Sequence, residues 1–406
     1  MRRPLFEWAF AVVGLCDFSV YFILLSVFVV SWAFGKTASV TPIAAPAAVS
    51  LWHVPAGAIQ PQAAVDSRGA AHVIYFKGGA TEGSGDLYYV RMAPGGASAS
   101  APIRVNSRQD SAGSIGTVRA AQLAIGKGDR VHVVWNGLGP KGANGYPKTY
   151  QAYTRLNEAG TAFEPQRDLI TWAQGLDGGG SVASDSAGNV YVTWHAMANA
   201  KDETGRAVFV ARSTDNGETF ERERQANPDP TGACACCGMR AFVDGKGTVY
   251  VLYRTATNRV ERDTTLLVST DKGQTFAAKR VDAWRINSCP MSTYALAEGK
   301  SGVLAAWETA GRVRTGTIDP SDLSIIGQLE APGSGQKHPS IASNAAGQTL
   351  LAWTEGTGWQ RGGSLTWQVM DASGKVVSTG KKADAIPVWG LPTAYSKPDG
   401  TFMIVY

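Results

Sequence analysis

Short apolar segments separated by turn-forming residues make up the chain beyond residue 50. No long stretch of this region places apolar residues at helical spacing. Runs of four or five mostly apolar residues instead alternate with clusters of Gly, Asp, Asn and Ser, which is typical of β-strands joined by tight turns. The pattern therefore predicts an all-β domain.

An apolar run that ends in an aromatic residue occurs seven times. The copies lie at residues 72–75, 132–135, 191–194, 250–253, 304–307, 350–353 and 402–406. Their final aromatics are 46 to 60 residues apart, and a repeat of this length predicts a propeller or a similar array. Each run follows a strand of small residues and a glycine turn, so the unit is a hairpin followed by two outer strands.

The seven hairpins predict a β-propeller with seven four-stranded blades, and six blades is the alternative if one hairpin is irregular. Small residues in each first strand suit the crowded position beside the propeller axis. The last hairpin, 393–406, ends the chain without outer strands. Residues 49–54 could supply such a strand and close the ring.

A strongly apolar segment precedes this domain. Arg2 and Arg3 stand before a run from residue 8 to 34 that is broken only by Asp17. The part without a charged residue after Asp17, 18–34, has 17 residues, about the lower limit for a membrane span. Positive charge before the run favours an orientation with the N-terminus in the cytoplasm.

These features divide the chain into three parts. We predict a signal anchor and transmembrane helix at 1–35, a linker rich in Pro and Ala at 36–48, and the propeller at 49–406. The membrane is then a partner through the N-terminal helix, and the propeller lies in the periplasm or outside the cell. Cleavage of the segment as a signal peptide, which gives a secreted protein, is the alternative.

Composition restricts the class of partner further. A hydrophobic content of 44% and a charged content of 17% suit a folded protein. The net charge of +5 is small for 406 residues and contains no basic block, so nucleic acid is not expected as a partner. No phosphate-binding loop or dinucleotide fingerprint is present.

Two copies of a Ser-x-Asp-x-Gly-x-Thr-Phe box follow predicted third strands. The residues that define them are Ser213, Asp215, Gly217 and Phe220 in the first copy, and Ser269, Asp271, Gly273 and Phe276 in the second. The Asp accepts N–H bonds from its own turn, the Gly adopts positive φ, and the Phe packs on a neighbouring sheet. Such a turn has too few oxygen ligands for calcium, so we interpret the boxes as structural.

These boxes make residues 50–406 resemble the sialidase-like superfamily, whose propellers carry Asp-boxes, or BNR repeats. The resemblance implies a scaffold rather than a reaction, since Asp-boxes also occur in proteins that are not enzymes. Sialidases hold the substrate carboxylate with three arginines and use a Tyr/Glu nucleophile pair with an Asp acid. The early Phe/Tyr-Arg-Ile-Pro motif of sialidases is missing here, with only faint similarity at 102–105 and 284–287.

Propeller topology predicts which polar residues share the mouth. First strands begin, and second strands end, on the same face, so residues at those points are expected to be neighbours. The predicted ligand-binding residues are Arg119, His195, Arg240, Arg254 and Glu308. The candidate catalytic residues, if the chain is a glycoside hydrolase, are Tyr294, Glu308 and Asp263. Alternatively, the arginines pair with local carboxylates such as Asp263 and Glu261.

Four of the five cysteines fall in two equivalent loops. Cys234, Cys236 and Cys237 enter the fourth predicted blade, and Cys289 enters the fifth. Outside the cytoplasm, disulfides are the simplest interpretation, one between the blades and one within the Cys-x-Cys-Cys loop. A thiolate metal site is the second interpretation, and a redox-active thiol pair is the third.

The metal hypothesis has two forms. The four thiols could bind Zn²⁺ tetrahedrally, or with Met239, Met291, His195 or His338 they could bind copper, which favours soft ligands. The Cys-x-Cys-Cys motif together with Trp-x-Ile-x-x-Cys-Pro also resembles an uncharacterised bacterial subset of sialidase-like proteins. No other cofactor is expected.

Three functions therefore follow. The leading hypothesis is a membrane-anchored, extracytoplasmic sialidase-like propeller that binds a ligand at its central mouth, and a glycan is the ligand expected. The alternatives are an exo-sialidase or other glycoside hydrolase, and a protein that binds or handles copper or zinc. Four tryptophans are candidates for a sugar-stacking platform, although each is also suited to packing between blades: Trp172, Trp359, Trp367 and Trp389.

Overall fold

The computed structural model describes residues 45–78, 83–96, 98–113, 120–143 and 145–406. The predicted transmembrane segment at 1–35 and most of the predicted linker lie outside these residues, as does Arg119. No helix within the described ranges is long and apolar enough to cross a membrane.

The described residues form strands and one 3-10 turn, at Lys127–Asp129, which confirms the all-β prediction. The first strands in chain order are β1 (Val49–Trp52), β2 (Ala58–Val65), β3 (Ala71–Gly78), β4 (Ser84–Met92), β5 (Ile103–Arg104), β6 (Ala112–Gly113), β7 (Gln122–Ile125), β8 (Val131–Lys141), β9 (Pro147–Arg155) and β10 (Arg167–Asp168). Next come β11 (Ser181–Ser184), β12 (Val190–Ala196), β13 (Ala207–Ser213), β14 (Arg224–Gln225), β15 (Arg240–Val243), β16 (Val249–Arg254), β17 (Thr264–Ser269) and β18 (Ala277–Asp282). The last are β19 (Ala295–Gly299), β20 (Gly302–Thr309), β21 (Arg312–Ile318), β22 (Ile325–Glu330), β23 (Gln336–Ser343), β24 (Thr349–Glu355), β25 (Gly363–Met370), β26 (Val376–Ile386), β27 (Thr393–Ser396) and β28 (Phe402–Val405).

Antiparallel groups of four strands repeat along the chain. Four separate sheets have this form, β11–β14, β15–β18, β19–β22 and β23–β26. A larger sheet contains two further groups, β2–β5 and β7–β10, joined through β6. Every predicted aromatic-ended run lies in or at the end of the second strand of its group.

The first strands of these groups surround a common axis. Each contacts the next in the series β2, β7, β11, β15, β19, β23 and β27, and β27 returns to contact β2. Residues at the two ends of the chain complete the last sheet, because β1 pairs in parallel with β28, from Val49 opposite Phe402 to Trp52 opposite Val405. The N–H of Val54 extends this pairing to the carbonyl of Tyr406 at 3.0 Å.

The hydrophobic core lies between neighbouring sheets. The tryptophans that end second strands are almost completely buried there, as Trp194 is among Val134 and Tyr153 of the preceding group. Large aromatics suit this position because sheets that fan out from an axis leave a gap that widens with distance from it. This packing holds the first strands in a fixed register around the axis.

The two Asp-boxes form the turns that the sequence predicted. Asp215 accepts the Thr219 N–H at 2.9 Å, and Gly217 has a φ of 78°. A Cβ at Gly217 would lie 1.8 Å from the Tyr153 hydroxyl of the neighbouring sheet, so glycine is required there. Phe220 packs edge-on against the same tyrosine, with ring centroids 4.7 Å apart.

The second box repeats this arrangement. Asp271 accepts the Thr275 N–H at 2.9 Å, and Gly273 has a φ of 75°. The first box follows β13 and lies beside the turn that joins β11 to β12, since the Asn216 N–H donates to the Gly188 carbonyl at 2.8 Å. That turn is at the end of the propeller axis opposite the predicted mouth.

Candidate functional site

The ring of first strands encloses a cavity of about 440 Å³ along the axis. Its wall is formed mostly by small and aliphatic side chains, such as Ala63, Ala241, Leu296 and Ala342. A cavity of this size lies within the range of small-molecule sites. The polar groups in the wall therefore decide what the cavity can bind.

Polar residues are concentrated in one layer of the cavity wall. In each group, one first-strand residue pairs with the residue just before the second-strand aromatic. In chain order these residues are Gln62, Gln122, Ser181, Arg240, Ala295, Ser340 and Thr393. All but the alanine can form hydrogen bonds, so the axis carries a polar belt near the start of the first strands.

Arg240 supplies the positive charge of this belt. Its Nη1 donates to Gln62 Oε1 at 3.0 Å and to Gln122 Oε1 at 3.1 Å, from two other groups of strands. Gln122 in turn accepts the Ser181 hydroxyl and donates to the Met239 carbonyl at 2.8 Å. Burial lowers the pKa of Arg240 to about 10, so the side chain stays charged at neutral pH.

The charge of Arg240 has no carboxylate partner among the described residues. No ion pair involves it, and its Nε is buried without a hydrogen-bond partner. Glu298 also lines the cavity, but it lies near the end of β19, where its carboxylate accepts the Gly245 N–H at 3.3 Å. The described wall therefore presents an uncompensated cation at one end.

The other predicted mouth residues do not line this cavity. Arg254 is the last residue of β16 and Glu308 the last but one of β20, and they are 1% and 0% exposed. Arg254 donates to the backbone carbonyls of Arg262 and Glu308, so it contacts Glu308 as predicted but not through the carboxylate. Its guanidinium lies 4.8 Å from the ring centroid of Trp284.

His195 is buried as well. Its Nε2 lies 3.5 Å from the Cys237 carbonyl, and its Nδ1 has no partner. Burial lowers the pKa of His195 to about 4, and Arg206 acts in the same direction. A neutral imidazole enclosed in this way is an internal packing group rather than a ligand contact in the cavity.

The candidate catalytic residues are spread over different environments. Tyr294 borders the cavity, but its hydroxyl is buried without a partner, and burial raises its pKa. The Glu308 carboxylate accepts the Ser292 hydroxyl and the Gly311 N–H. Asp263 accepts the Trp284 N–H at 2.9 Å and lies 3.7 Å from Arg280.

The alternative, in which the mouth arginines pair with local carboxylates, is wrong for Arg240 and Arg254, and Arg119 lies outside the described residues. The two carboxylates named for it pair with other arginines. Asp263 pairs with Arg280, and Glu261 lies 3.4 Å from Arg285. Arg262 forms a bidentate ion pair with Glu203, with hydrogen bonds of 2.7 and 3.0 Å.

Apolar residues gather at the predicted mouth. Ala120, Met291 and Leu391, which precede three different first strands, pack together with Cys236 and Trp389. The sequence predicted an open polar mouth, and the difference arises because loop residues from opposite sides of the axis reach one another. Polar groups instead lie deeper, in the belt around Arg240.

Of the four tryptophans proposed for sugar stacking, Trp359 alone is exposed, at 65%. It meets Trp389 edge-on, with ring centroids 5.1 Å apart, beside the apolar residues at the mouth. Trp172 packs against Phe209, and Trp367 packs into the core next to β27 and β28. Among these four tryptophans, the pair formed by Trp359 and Trp389 is therefore the available aromatic surface.

The four cysteines converge as the sequence predicted, but as free thiols rather than disulfides. The sulfurs of Cys234, Cys236 and Cys237 lie within 4.8 Å of one another, and those of Cys234 and Cys236 are 3.3 Å apart. The Cys236 thiol also interacts with Cys289, and this lowers the pKa of Cys289 to about 7.

A positive charge, that of Arg254, lies beside this cluster. Burial opposes ionisation of Cys237, but hydrogen bonds from Cys234 and Cys236, the Arg254 guanidinium and the Ser292 N–H together hold its pKa well below the usual range. The Ser292 N–H lies 3.4 Å from the Cys237 sulfur. One member of the cluster is therefore favoured as a thiolate.

Several residues of both sites were not predicted. Gln62 and Gln122 could have been found as polar residues at the same first-strand position as Arg240. Ser292 lies three residues after Cys289, and this closeness in sequence was only a weak indication that Ser292 belongs to the cysteine cluster. Glu203 lies between β12 and β13, far from Arg262 in sequence, so nothing in the sequence pointed to their pairing.

Solved structures with a similar fold cover most of the chain. A protein of unknown function from Dyadobacter fermentans matches 85% of this chain and 100% of its own, with 12% identity and a TM-score of 0.54. An α-L-arabinanase of Penicillium chrysogenum, solved with arabinobiose, matches 79% of this chain and 94% of its own, with 10% identity and a TM-score of 0.53. A Hadza microbial sialidase matches 78% of this chain and 69% of its own, with 16% identity and a TM-score of 0.46.

These similarities concern the fold. At such identities they place the chain among propeller-like folds that glycosidases share, as the predicted resemblance implied, and they carry no activity with them. The similarity to the sialidase is too weak to support a conclusion about this chain. The resemblance to a bacterial subset with the Cys-x-Cys-Cys motif stays a prediction. No protein-family model and no curated protein matches the chain.

Proposed function

We propose that this chain binds a carboxylate-bearing sugar in its central cavity, with Arg240 as the anchor. The observation that carries the proposal is the position of Arg240, a cation that faces the cavity and has no carboxylate partner among the described residues. An unpaired charge in a low-dielectric position is costly, and an anionic ligand would offset that cost.

The hydrogen bonds of Arg240 indicate how the ligand is held. Gln62 and Gln122 occupy Nη1 and Nε is buried, which leaves Nη2 for the ligand. A hydrogen bond from this charged group to a carboxylate oxygen is stronger than one between neutral groups. Polar atoms of the belt and the aliphatic wall then suit the hydroxyls and the ring of a small sugar acid.

Binding, rather than hydrolysis, is the function proposed. Glycoside hydrolysis commonly needs two carboxyl groups about 5–9.5 Å apart, on either side of the bond that is cleaved. Among the described residues only Glu298 brings a carboxylate to the cavity, and Glu308 and Asp263 lie outside its wall. The arabinanase of similar fold was solved with a sugar, which supports a carbohydrate as the kind of ligand.

The proposal can be tested by calorimetric titration of the purified chain with glucuronate and N-acetylneuraminate, and with glucose as the uncharged comparison. We expect the acids to bind and Arg240→Met to weaken their binding at least about tenfold, as loss of a charged hydrogen bond requires. Glu298→Gln, at the other end of the cavity, is the matched control and should leave an Arg240-dependent site in place. Acid binding that Arg240→Met does not change would refute the proposal.

A second candidate, stacking of a neutral glycan on the mouth, is favoured by the exposure of Trp359 beside Trp389. Aromatic faces of this kind bind sugar rings through their C–H groups and need no charge. Glycan-array binding that Trp359→Ala abolishes and Arg240→Met leaves unchanged would support this candidate over the first.

The architecture and location that we propose go with this function. Seven first strands in contact around the axis support a seven-bladed propeller closed by β1. The arginines and apolar run before residue 35 support an N-terminal membrane anchor, with the propeller in the periplasm or outside the cell. An alkaline phosphatase fusion at the C-terminus should then be active, and an inactive fusion would argue for a cytoplasmic propeller.

A further inference from the structure

The cysteine cluster brings thiols of two separate loops together. Cys234, Cys236 and Cys237 precede β15, and Cys289 precedes β19, in the next group of strands. Three of the sulfurs lie mutually within 4.8 Å, and Cys289 interacts with Cys236. Four free cysteines so close together need a physical explanation.

The sulfur spacing is closer to that of ligands around a metal ion than to that of a bonded pair. Cys234 and Cys236 are 3.3 Å apart. A disulfide requires about 2.05 Å. Two sulfurs at tetrahedral positions about 2.3 Å from one zinc ion would be about 3.8 Å apart. Cys236 and Cys237 are adjacent in sequence, so they would bond to each other only with strain, whereas both can ligate one ion.

The surroundings favour sulfur in its anionic form. The Ser292 N–H points to the Cys237 sulfur at 3.4 Å. Arg254 is buried next to the cluster and binds only backbone carbonyls, while the charge of Arg262 is matched by Glu203. A divalent ion with three thiolates carries one negative charge, and with four it carries two, so Arg254 is suited to offset part of that charge.

We infer that Cys234, Cys236 and Cys237 form a binding site for a soft d¹⁰ metal ion, Zn²⁺ or Cu⁺, with Cys289 of the neighbouring loop as the fourth ligand. This inference does not rest on the sugar-binding function, and it uses a different part of the molecule from the cavity around Arg240.

The donor set narrows the class of ion. All members of the cluster are thiols, and no carboxylate or imidazole joins it among the described residues. Oxygen-seeking ions such as Mg²⁺ and Ca²⁺ are therefore unsuited, whereas thiolates select Zn²⁺ and Cu⁺.

Three of the four additional copper ligands that the sequence suggested have other partners, whereas Met291 packs with Cys236. Met239 packs in the core next to β15, and His195 faces the Cys237 carbonyl rather than a sulfur. His338 lies 3.4 Å from the Thr293 hydroxyl.

The burial of the cluster indicates a closed site with one accessible side. Cys234 and Cys237 are each 2% exposed, whereas Cys289 is exposed and Cys236 is partly so. An ion can therefore enter past Cys289 and be enclosed by the other three thiols. With Cys289 as the fourth thiolate no coordination position stays open, which suits holding or stabilising functions rather than metal catalysis.

The test uses the full-length chain, purified with a reductant and without metal. We expect Zn²⁺ or Cu⁺ to bind at one ion per chain by elemental analysis, with chromophoric chelators specific for each ion deciding between them. Bound ion should protect the four cysteines from alkylation, as read by mass spectrometry. Cys16, in the N-terminal apolar run, is the matched control, and Cys16→Ser should leave affinity and protection unchanged.

Variants at the ligands complete the experiment. Cys237→Ser should weaken binding at least about tenfold, in line with the loss of one ligand. If that variant does not fold, Cys289→Ser at an exposed position is expected to weaken binding to a similar degree, and unchanged affinity there would contradict the site. The inference would also be overturned if the reduced protein bound neither ion at micromolar concentration, or if the isolated protein carried the four cysteines as two disulfides. Neither result would affect the sugar-binding proposal, whose test is independent of metal.

Discussion

At the scale of single residues, two buried arginines have opposite roles. Arg254 donates to two backbone carbonyls and stacks near Trp284, so its charge and its hydrogen bonds serve internal structure. Arg240 is held by two glutamine side chains and keeps the remainder of its guanidinium unpaired. The same residue type is thus structural in one position and available for a ligand in the other.

This contrast predicts opposite effects on stability. Arg254→Met leaves two buried carbonyls without donors and should lower the free energy of unfolding by about 2–4 kcal/mol. Arg240→Met removes a charge that has no anionic partner, so in the absence of ligand it should be neutral or slightly stabilising. Urea unfolding of both variants without ligand measures this. A large loss of stability in Arg240→Met would show that a partner for its charge exists within the protein.

At the scale of elements, the Asp-boxes fix the turns between third and fourth strands. Each box closes on itself through its Asp and reaches the neighbouring sheet through its Phe and backbone. The Asn216 carbonyl, for example, accepts a hydrogen bond from Arg155 of the preceding group at 2.9 Å. The boxes lie away from the predicted mouth, so their contribution is to the alignment of sheets.

Removing the carboxylate of either box should therefore affect stability and not ligand binding. Asp215→Ala and Asp271→Ala each remove several turn hydrogen bonds and should cost about 1–2 kcal/mol. Thermal or urea unfolding measures the loss, and calorimetry with the sugar acid checks that affinity is retained. If affinity fell with no loss of stability, the boxes would have to be part of a binding surface.

At the scale of the whole propeller domain, the ring is closed by residues from both ends of the described chain. The parallel pairing of β1 with β28 covers the edge that the last hairpin would otherwise expose. Closure keeps the first strands in register, and that register aligns residues of different groups into the polar belt. The belt and the cysteine cluster thus both depend on contacts between groups of strands.

Buried histidines in three different groups of strands make stability sensitive to acid. Burial lowers the pKa of His132 to about 3, of His195 to about 4 and of His338 to about 3. Because the unfolded chain takes up these protons near pH 6.5 and the folded protein does not, stability should fall as the pH drops from about 6.5 towards 4. The slope is about 1.4 kcal/mol per pH unit for each histidine.

Urea unfolding at pH 7, 6 and 5 tests this expectation. Burial also lowers the pKa of His72, so His132→Gln removes one of four such groups and should make the decline less steep by roughly a quarter to a third. Stability that did not change between pH 7 and pH 5 would show that these imidazoles accept protons within the folded protein.

The sequence by itself determined the all-β repeat, the second strands with their aromatics, the box turns and the strand that closes the last sheet. Each of these depends on residues close in sequence or on a period that the chain repeats. Tertiary structure decided that Arg240 faces the axis while Arg254 and Glu308 do not. The direction of a side chain depends on strand register, and a shift of one residue moves it to the other face of the sheet. It also decided that apolar loop residues gather at the predicted mouth and that the thiols of two loops meet beside Arg254. Those outcomes depend on distances between loops of separate strand groups, which no local pattern in the chain specifies.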